Sequence, residues 1–124
     1  MKREVFERLV AEALDGLPEE LRAHIENVEV VIEEWPRALD LADAGMEKNE
    51  RELLLGLYSG VPLTERGTGY AGVLPDRITL FQGPIQQVAG SDAEAIREEV
   101  RATVIHEVAH YFGISDDRLD EMGR

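Results

Sequence analysis

The feature of this sequence that most constrains its fold is a helical pattern that continues without interruption from Ser91 to Gly113. Ser91, with Glu94 three residues later, predicts a capping box at the start of the helix, and Gly113 is a suitable residue for its end. On a helical wheel the apolar residues of the last turns lie on one side, where we expect burial: Val104, Ile105, Val108, Ala109 and Phe112. The rest of the chain must cover that side.

Strands are predicted at 28–32, 53–58 and 77–82, and Gly83-Pro84 ends the third of them. Helices are predicted at 2–15 and at 116–121 with Ser115 as cap, and a short helix is predicted at 17–21. Segment 38–46 is ambiguous, with a helical turn favoured. The glycine-rich segment 66–72 is expected to be a surface loop. This order predicts one α+β domain, residues 1–124, with a small mostly antiparallel or mixed sheet packed against N-terminal helices and the long C-terminal helix.

Composition excludes several classes of function. With 26 acidic and 13 basic residues the net charge is −13, which argues against nucleic-acid partners and anionic membranes. The absence of cysteine excludes disulfides, thiolate metal ligands and thiol nucleophiles. Neither a signal peptide nor an apolar run long enough to span a bilayer is visible, so we expect a cytoplasmic protein. Arginine far outnumbers lysine, which is compatible with a thermophilic source.

The long helix carries the pattern HExxH, His106-Glu107-Val108-Ala109-His110. On the wheel His110 lies about 40° and Glu107 about 100° from His106, so the three polar side chains share an arc opposite the apolar side. Two imidazoles one turn apart can bind zinc, with the neighbouring carboxylate left as a base. His24, the third histidine, has no such neighbour and is expected to be structural or exposed.

A catalytic zinc generally has three protein ligands and an open position for water. The candidates downstream of His110 are Asp116, Asp117, Asp120 and Glu121. Asp116 stands where the metzincin signature HExxHxxGxxH has its third histidine, so it is favoured, followed by Asp117. Acids in the first turn of a helix are also favourable without any metal, because they complement its dipole.

Such a site would perform metal-assisted hydrolysis, with Zn²⁺ activating water and Glu107 acting as general base. The substrate is expected to be a peptide or protein that pairs with strand 77–82 as an edge strand. Tyr70 and Arg77 are candidates to contact the substrate or the oxyanion. Tyr111 could also donate to the oxyanion, but packing is the favoured role for both tyrosines, and especially for Tyr111. The oligomeric state is left open.

Three segments, 54–63, 69–78 and 106–119, together resemble the minimal zincin-like metallopeptidases of bacteria, a family related in motif to metzincins. The resemblance implies a minimal zincin-like α+β fold and a zinc-dependent peptidase. It also implies zinc ligation by His106 and His110, Glu107 as base, and Asp116 at the third-ligand position.

Two other functions are compatible with the sequence. One is a non-catalytic protein-binding module with a vestigial metal site, in which Glu107 has no chemical role. The other is a metal-dependent endoribonuclease, which is less favoured because of the net charge of −13 and the presence of Glu107.

Overall fold

The computed structural model of the chain describes residues 1–60 and 75–121. It confirms the α+β class: a small mixed sheet and the N-terminal helices pack against one long helix. The helices of the described residues are α1 (Arg3–Asp15), α2 (Glu19–His24), α3 (Ala38–Asp43), α4 (Gln82–Ala89), α5 (Ala93–Phe112) and α6 (Asp116–Glu121), with a 3₁₀ helix at Lys48–Leu53. The strands are β1 (Val28–Glu33), β2 (Gly56–Ser59) and β3 (Asp76–Phe81).

The central strand of the sheet is β3, so the prediction that segment 77–82 forms an edge strand is wrong. β1 pairs with it in parallel, with Val30 opposite Ile78, and β2 pairs antiparallel on the other side, with Tyr58 also opposite Ile78. Ile78, Leu80 and Phe81 are all 0% exposed, as expected for a strand enclosed on both sides. Among the described strands the edges are therefore β1 and β2.

One side of α5 lies in the main core. Ile96, Val100, Val104 and Val108, which follow one another at intervals of four residues, are each at most 1% exposed. They pack with the buried side of α1 and with the sheet. Burying one such aliphatic side chain contributes about 1.5–3 kcal/mol, so this stripe determines which side of α5 remains exposed.

The N-terminal end of α5 differs by one residue from the prediction. Asp92 is the N-cap, and its Oδ2 accepts a hydrogen bond from the Ala95 backbone N–H at 3.0 Å. The predicted capping box between Ser91 and Glu94 is absent, because Asp92 as N-cap makes Ala95 the N3 residue; the Glu94 carboxylate forms an ion pair with Arg97 at 2.8 Å. The hydrogen bond and charge of Arg97 lower the pKa of Glu94 below its usual value.

The C-terminal end of α5 lies where it was predicted. Gly113 adopts a φ of 68°, the left-handed conformation that favours glycine after a helix. Phe112 was expected in the core but is 42% exposed; it is the last helical residue, and its ring packs on the exposed ring of His24 at a centroid distance of 4.8 Å. The predicted cap of α6 is confirmed, because Ser115 Oγ accepts a hydrogen bond from the Arg118 N–H at 3.1 Å.

The strand predicted at 53–58 begins later in the structure than predicted. Its first predicted residue, Leu53, ends the 3₁₀ helix, and the strand begins only at Gly56. The start of the 3₁₀ helix is stabilised locally, because the Glu47 backbone N–H donates to Glu50 Oε1 at 2.9 Å. Leu53 is 67% exposed while Leu54 is buried, a burial pattern that the apolar run itself does not reveal.

The turn predicted after β3 is instead the start of α4. Gln82, expected at the end of the strand, is the first residue of that helix. Pro84 lies in its first turn, where a backbone N–H has no partner within the helix, so a proline is tolerated there. The ambiguous segment 38–46 does contain a helix, α3.

Gly56 allows β2 to approach α5 closely. A Cβ atom at this position would lie 2.6 Å from Cγ2 of Thr103 on α5 and 3.2 Å from the backbone oxygen of Thr79 on β3. Carbon atoms in contact are normally about 3.5–4.0 Å apart. The glycine therefore sets the spacing between the edge strand and the helix.

We predict that Gly56→Ala lowers the free energy of unfolding by about 1–3 kcal/mol, the usual cost of overpacking, as measured by urea denaturation. Thr103→Ser deletes the methyl group that the new Cβ meets, so Gly56→Ala should cost less in that background. The recovery should be partial, since the contact with Thr79 remains. If Gly56→Ala lowers the free energy of unfolding equally in the wild-type and Thr103→Ser backgrounds, contact with Thr103 does not limit how closely β2 approaches α5.

Candidate active site

The HExxH residues lie on the exposed side of α5. His106 and His110 are exposed and Glu107 is half-buried, whereas Val104 and Val108 are each 1% exposed. The structure thus confirms the predicted separation between the polar arc and the buried stripe. Burial of the stripe directs both histidines away from the core, where they can bind a ligand.

The carboxylate of Glu107 is held by the edge strand. Its Oε1 accepts a hydrogen bond from the Tyr58 backbone N–H at 2.9 Å. Main-chain groups alternate between the two edges of a strand, so this N–H lies on the edge of β2 that faces away from β3. The Tyr58 side chain is itself fixed, because its hydroxyl donates to Asp76 Oδ2 at 2.7 Å. Among the described residues no hydrogen bond to Oε2 of Glu107 is formed.

Three adjoining depressions meet at Glu107, which lines all of them. The first, of about 350 Å³, includes His106 and the start of β2. The second, of about 450 Å³, includes His110 and Tyr111. The third, of about 430 Å³, includes both histidines and Asp116. A ligand in any of the three can therefore reach the same carboxylate.

The donors around the third depression fit zinc in chemical type. His106 and His110 supply imidazole nitrogens and Asp116 supplies a carboxylate, the ligands that zinc accepts in catalytic sites. However, within residues 1–60 and 75–121 no three histidine or acidic side chains lie close enough together to hold an ion. Asp116 shares this depression with the two histidines without forming a three-donor cluster with them.

The other acids proposed as a third ligand are placed less favourably. Asp117 and Asp120 line none of the three depressions. Glu121 forms an ion pair with Arg118 at 3.1 Å. Asp116 is the only one of the four downstream candidates that lines the depression containing both histidines.

The structure does not place the other predicted site residues in contact with Glu107. Arg77 pairs with Glu29 across the β1–β3 ladder at 3.2 Å and lines none of the three depressions. Tyr70 lies outside the described residues. Tyr111 is 47% exposed and stacks on Tyr58 with ring centroids 4.0 Å apart, a packing contact at the rim of the second depression.

Two residues of the site were not singled out from the sequence. Tyr58 acts through its backbone N–H, a group that almost every residue has, so no side-chain pattern reveals it. Glu99 lines the first depression together with His106. It precedes His106 by seven residues, which places it about 20° away on the helical wheel. Extending the wheel two turns toward the N-terminus would have found it.

Comparison with known proteins identifies the family. A model for the zincin-like metallopeptidases matches residues 25–124, and the chain belongs to that family. It is similar to the solved structure of a conserved hypothetical protein from Thermus thermophilus, with 28% identity, a TM-score of 0.52, and coverage of 90% of this chain and 94% of that one. No curated protein matches it. In the described part of the chain no helix is long and apolar enough to cross a membrane.

The Tyr58–Glu107 hydrogen bond can be tested by amide hydrogen exchange. Glu107→Ala removes the acceptor, and a hydrogen bond to a charged group contributes about 1.5–3 kcal/mol, so the Tyr58 amide should exchange at least about tenfold faster in this variant. Glu107→Gln keeps an acceptor oxygen and should show a smaller change. If the Tyr58 amide exchanges equally fast in the wild type and the alanine variant, the strand does not hold this carboxylate.

Proposed function

We propose that the chain, as a member of the zincin-like metallopeptidase family, is a zinc-dependent hydrolase that cleaves an amide bond in a peptide or protein. One observation carries this proposal. Glu107 lies on the exposed side of α5 between two histidines, and the Tyr58 N–H holds it where three depressions meet. A general base has to be both positioned and accessible, and this carboxylate is both.

His106 and His110 would hold the zinc with Asp116 as third ligand, and zinc there supplies a Lewis acid and lowers the pKa of water toward about 7. Oε2 of Glu107 accepts a proton from the attacking water and later gives it to the nitrogen of the departing amine. Oε1 stays hydrogen-bonded to the Tyr58 N–H, so the carboxylate keeps its orientation between these two transfers.

An extended substrate fits the edge of β2, in place of the segment 77–82 that was expected to receive it. Leu54, Gly56 and Glu107 line both the first and the second depression, so the two depressions adjoin at the start of β2. Gly56, two residues before Tyr58, presents its main-chain groups to the same outer edge. Because the Tyr58 N–H is bonded to Glu107 and Gly56 packs against Thr103, the peptide would lie along the two depressions, where its backbone can reach Glu107.

A second function has one observation in its favour. Because the described residues do not bring three metal donors together, the surface around Glu107 could bind a protein without catalysis. In that case Glu107→Gln would leave the protein's measurable behaviour unchanged. A nucleic-acid substrate is not proposed, since a chain of net charge −13 would repel phosphates.

Zinc binding gives the first test. We expect about one zinc per chain, measured by metal analysis after dialysis. His110→Ala should weaken zinc binding by more than about 100-fold. Mutation of a residue that merely hydrogen-bonds to a metal ligand already lowers metal affinity by about 10–100-fold. Asp116→Ala should also weaken binding, and Asp117→Ala is the matched control, with the same charge change one residue away. Zinc uptake that is unaffected by Asp116→Ala would exclude Asp116 as a ligand.

Peptide cleavage gives the second test. With zinc bound, Glu107→Gln should lower kcat by about 10²–10⁴-fold, the usual contribution of a general base, while zinc content stays the same. The measurement is cleavage of a mixed peptide library followed by mass spectrometry. Zinc-loaded wild type that cleaves no peptide, or a Glu107→Gln variant as active as wild type, would favour the binding module.

A further inference from the structure

The first depression is large enough to hold one long side chain, and we call it the Glu99 pocket. Residues 53–56 form one wall, and Glu99, Ala102 and Thr103 of α5 form the other, beside His106 and Glu107. Its volume of about 350 Å³ is near the lower limit of ligand pockets, about 300–1,000 Å³. A site of this size next to the general base can accept a substrate side chain.

Glu99 places a carboxylate in this pocket without a basic partner. It is half-buried, and it forms no ion pair or side-chain hydrogen bond with the described residues. The nearest arginines along α5 are already engaged, because Arg97 pairs with Glu12 and Glu94, and Arg101 pairs with Glu94. No described arginine or lysine lines the pocket. Among the described residues no arginine or lysine therefore pairs with Glu99, and the group of the pocket that can carry positive charge is His106, a proposed zinc ligand.

The rest of the pocket suits a long basic side chain. Leu53, Leu54 and Leu55 supply an apolar wall for an aliphatic stem, as lysine and arginine stems require. Thr103 and Ala102 line the opposite wall of the pocket and add no charge to it. The net charge of −13 would also attract cationic peptides.

We propose that the Glu99 pocket binds an arginine or lysine side chain of the substrate, so that the enzyme acts on peptides with a basic residue next to the cleaved bond. This inference rests on the proposed peptidase function. Glu99 is a specificity residue here: it contacts the substrate side chain and takes no part in proton transfer.

The test compares arginine with citrulline, which has nearly the same shape but no charge. Two pentapeptide amides, identical except for arginine or citrulline at the central position, are titrated into zinc-loaded Glu107→Gln protein by calorimetry, so that hydrolysis does not interfere. We expect the arginine peptide to bind about tenfold more tightly, which corresponds to about 1.4 kcal/mol. Adding Glu99→Gln should reduce the ratio to about one.

Two further variants make the result specific to the pocket. Glu98→Gln removes the same charge from the adjacent residue, which is exposed and does not line the pocket, so the preference should survive. Glu99→Lys should reverse the preference and favour a peptide with glutamate at the central position. Equal binding of the arginine and citrulline peptides would overturn the inference. So would an equal effect of Glu98→Gln and Glu99→Gln, or no binding of the arginine peptide at all.

Failure of this inference can be told apart from failure of the proposed function. If zinc-loaded wild type cleaves library peptides without preference for basic residues, the peptidase function stands and the role of Glu99 is wrong. If wild type cleaves nothing while the arginine peptide still binds tenfold more tightly than the citrulline peptide, the pocket is real and the catalytic function is wrong.

Discussion

The site depends on one hydrogen bond between the two layers of the fold, from the Tyr58 N–H to the Glu107 carboxylate at 2.9 Å. Each partner is positioned by packing on its other side. Tyr58 belongs to a strand paired with the buried β3, and Glu107 belongs to a helix whose opposite side is in the core. The contact is possible because Gly56 has no side chain to separate β2 from α5. The position of the base is thus a result of core packing.

Some of the acidic residues that give the chain its net negative charge have a proposed role at the site. Without cysteine, a zinc site can use only histidine and carboxylate side chains as ligands, and Asp116 lines the depression that also contains both histidines of α5. Most of the acidic groups lie on the surface, where several pair with arginine. Glu99 is half-buried, has no ion pair with the described residues, and lines a depression together with His106 and Glu107. In the proposed function the carboxylate of Glu99 would select the substrate side chain, and the carboxylate of Asp116 would complete the metal site.

Local patterns were sufficient to predict much of this molecule. The spacing of apolar residues correctly predicted α1 and α5, and the HExxH arc was correctly placed opposite the buried stripe. Long-range features were not predictable in the same way. The central position of β3 and the contact between Tyr58 and Glu107 join residues far apart in sequence, and neither leaves a periodic signal. Glu99 was predictable from the wheel, but only if the polar arc had been followed two turns beyond the motif.

The proposed function requires a zinc site at the exposed side of α5, in which two histidines and a carboxylate bind the metal. X-ray absorption spectroscopy of the zinc-loaded protein tests this requirement. We expect two imidazole nitrogens at about 2.0–2.1 Å and oxygen ligands at about 2.0–2.2 Å, with four-coordinate geometry. The imidazole signal should be reduced in His106→Ala and unchanged in His24→Ala. A zinc environment of oxygen alone, or one that does not change in the His106 variant, would contradict it.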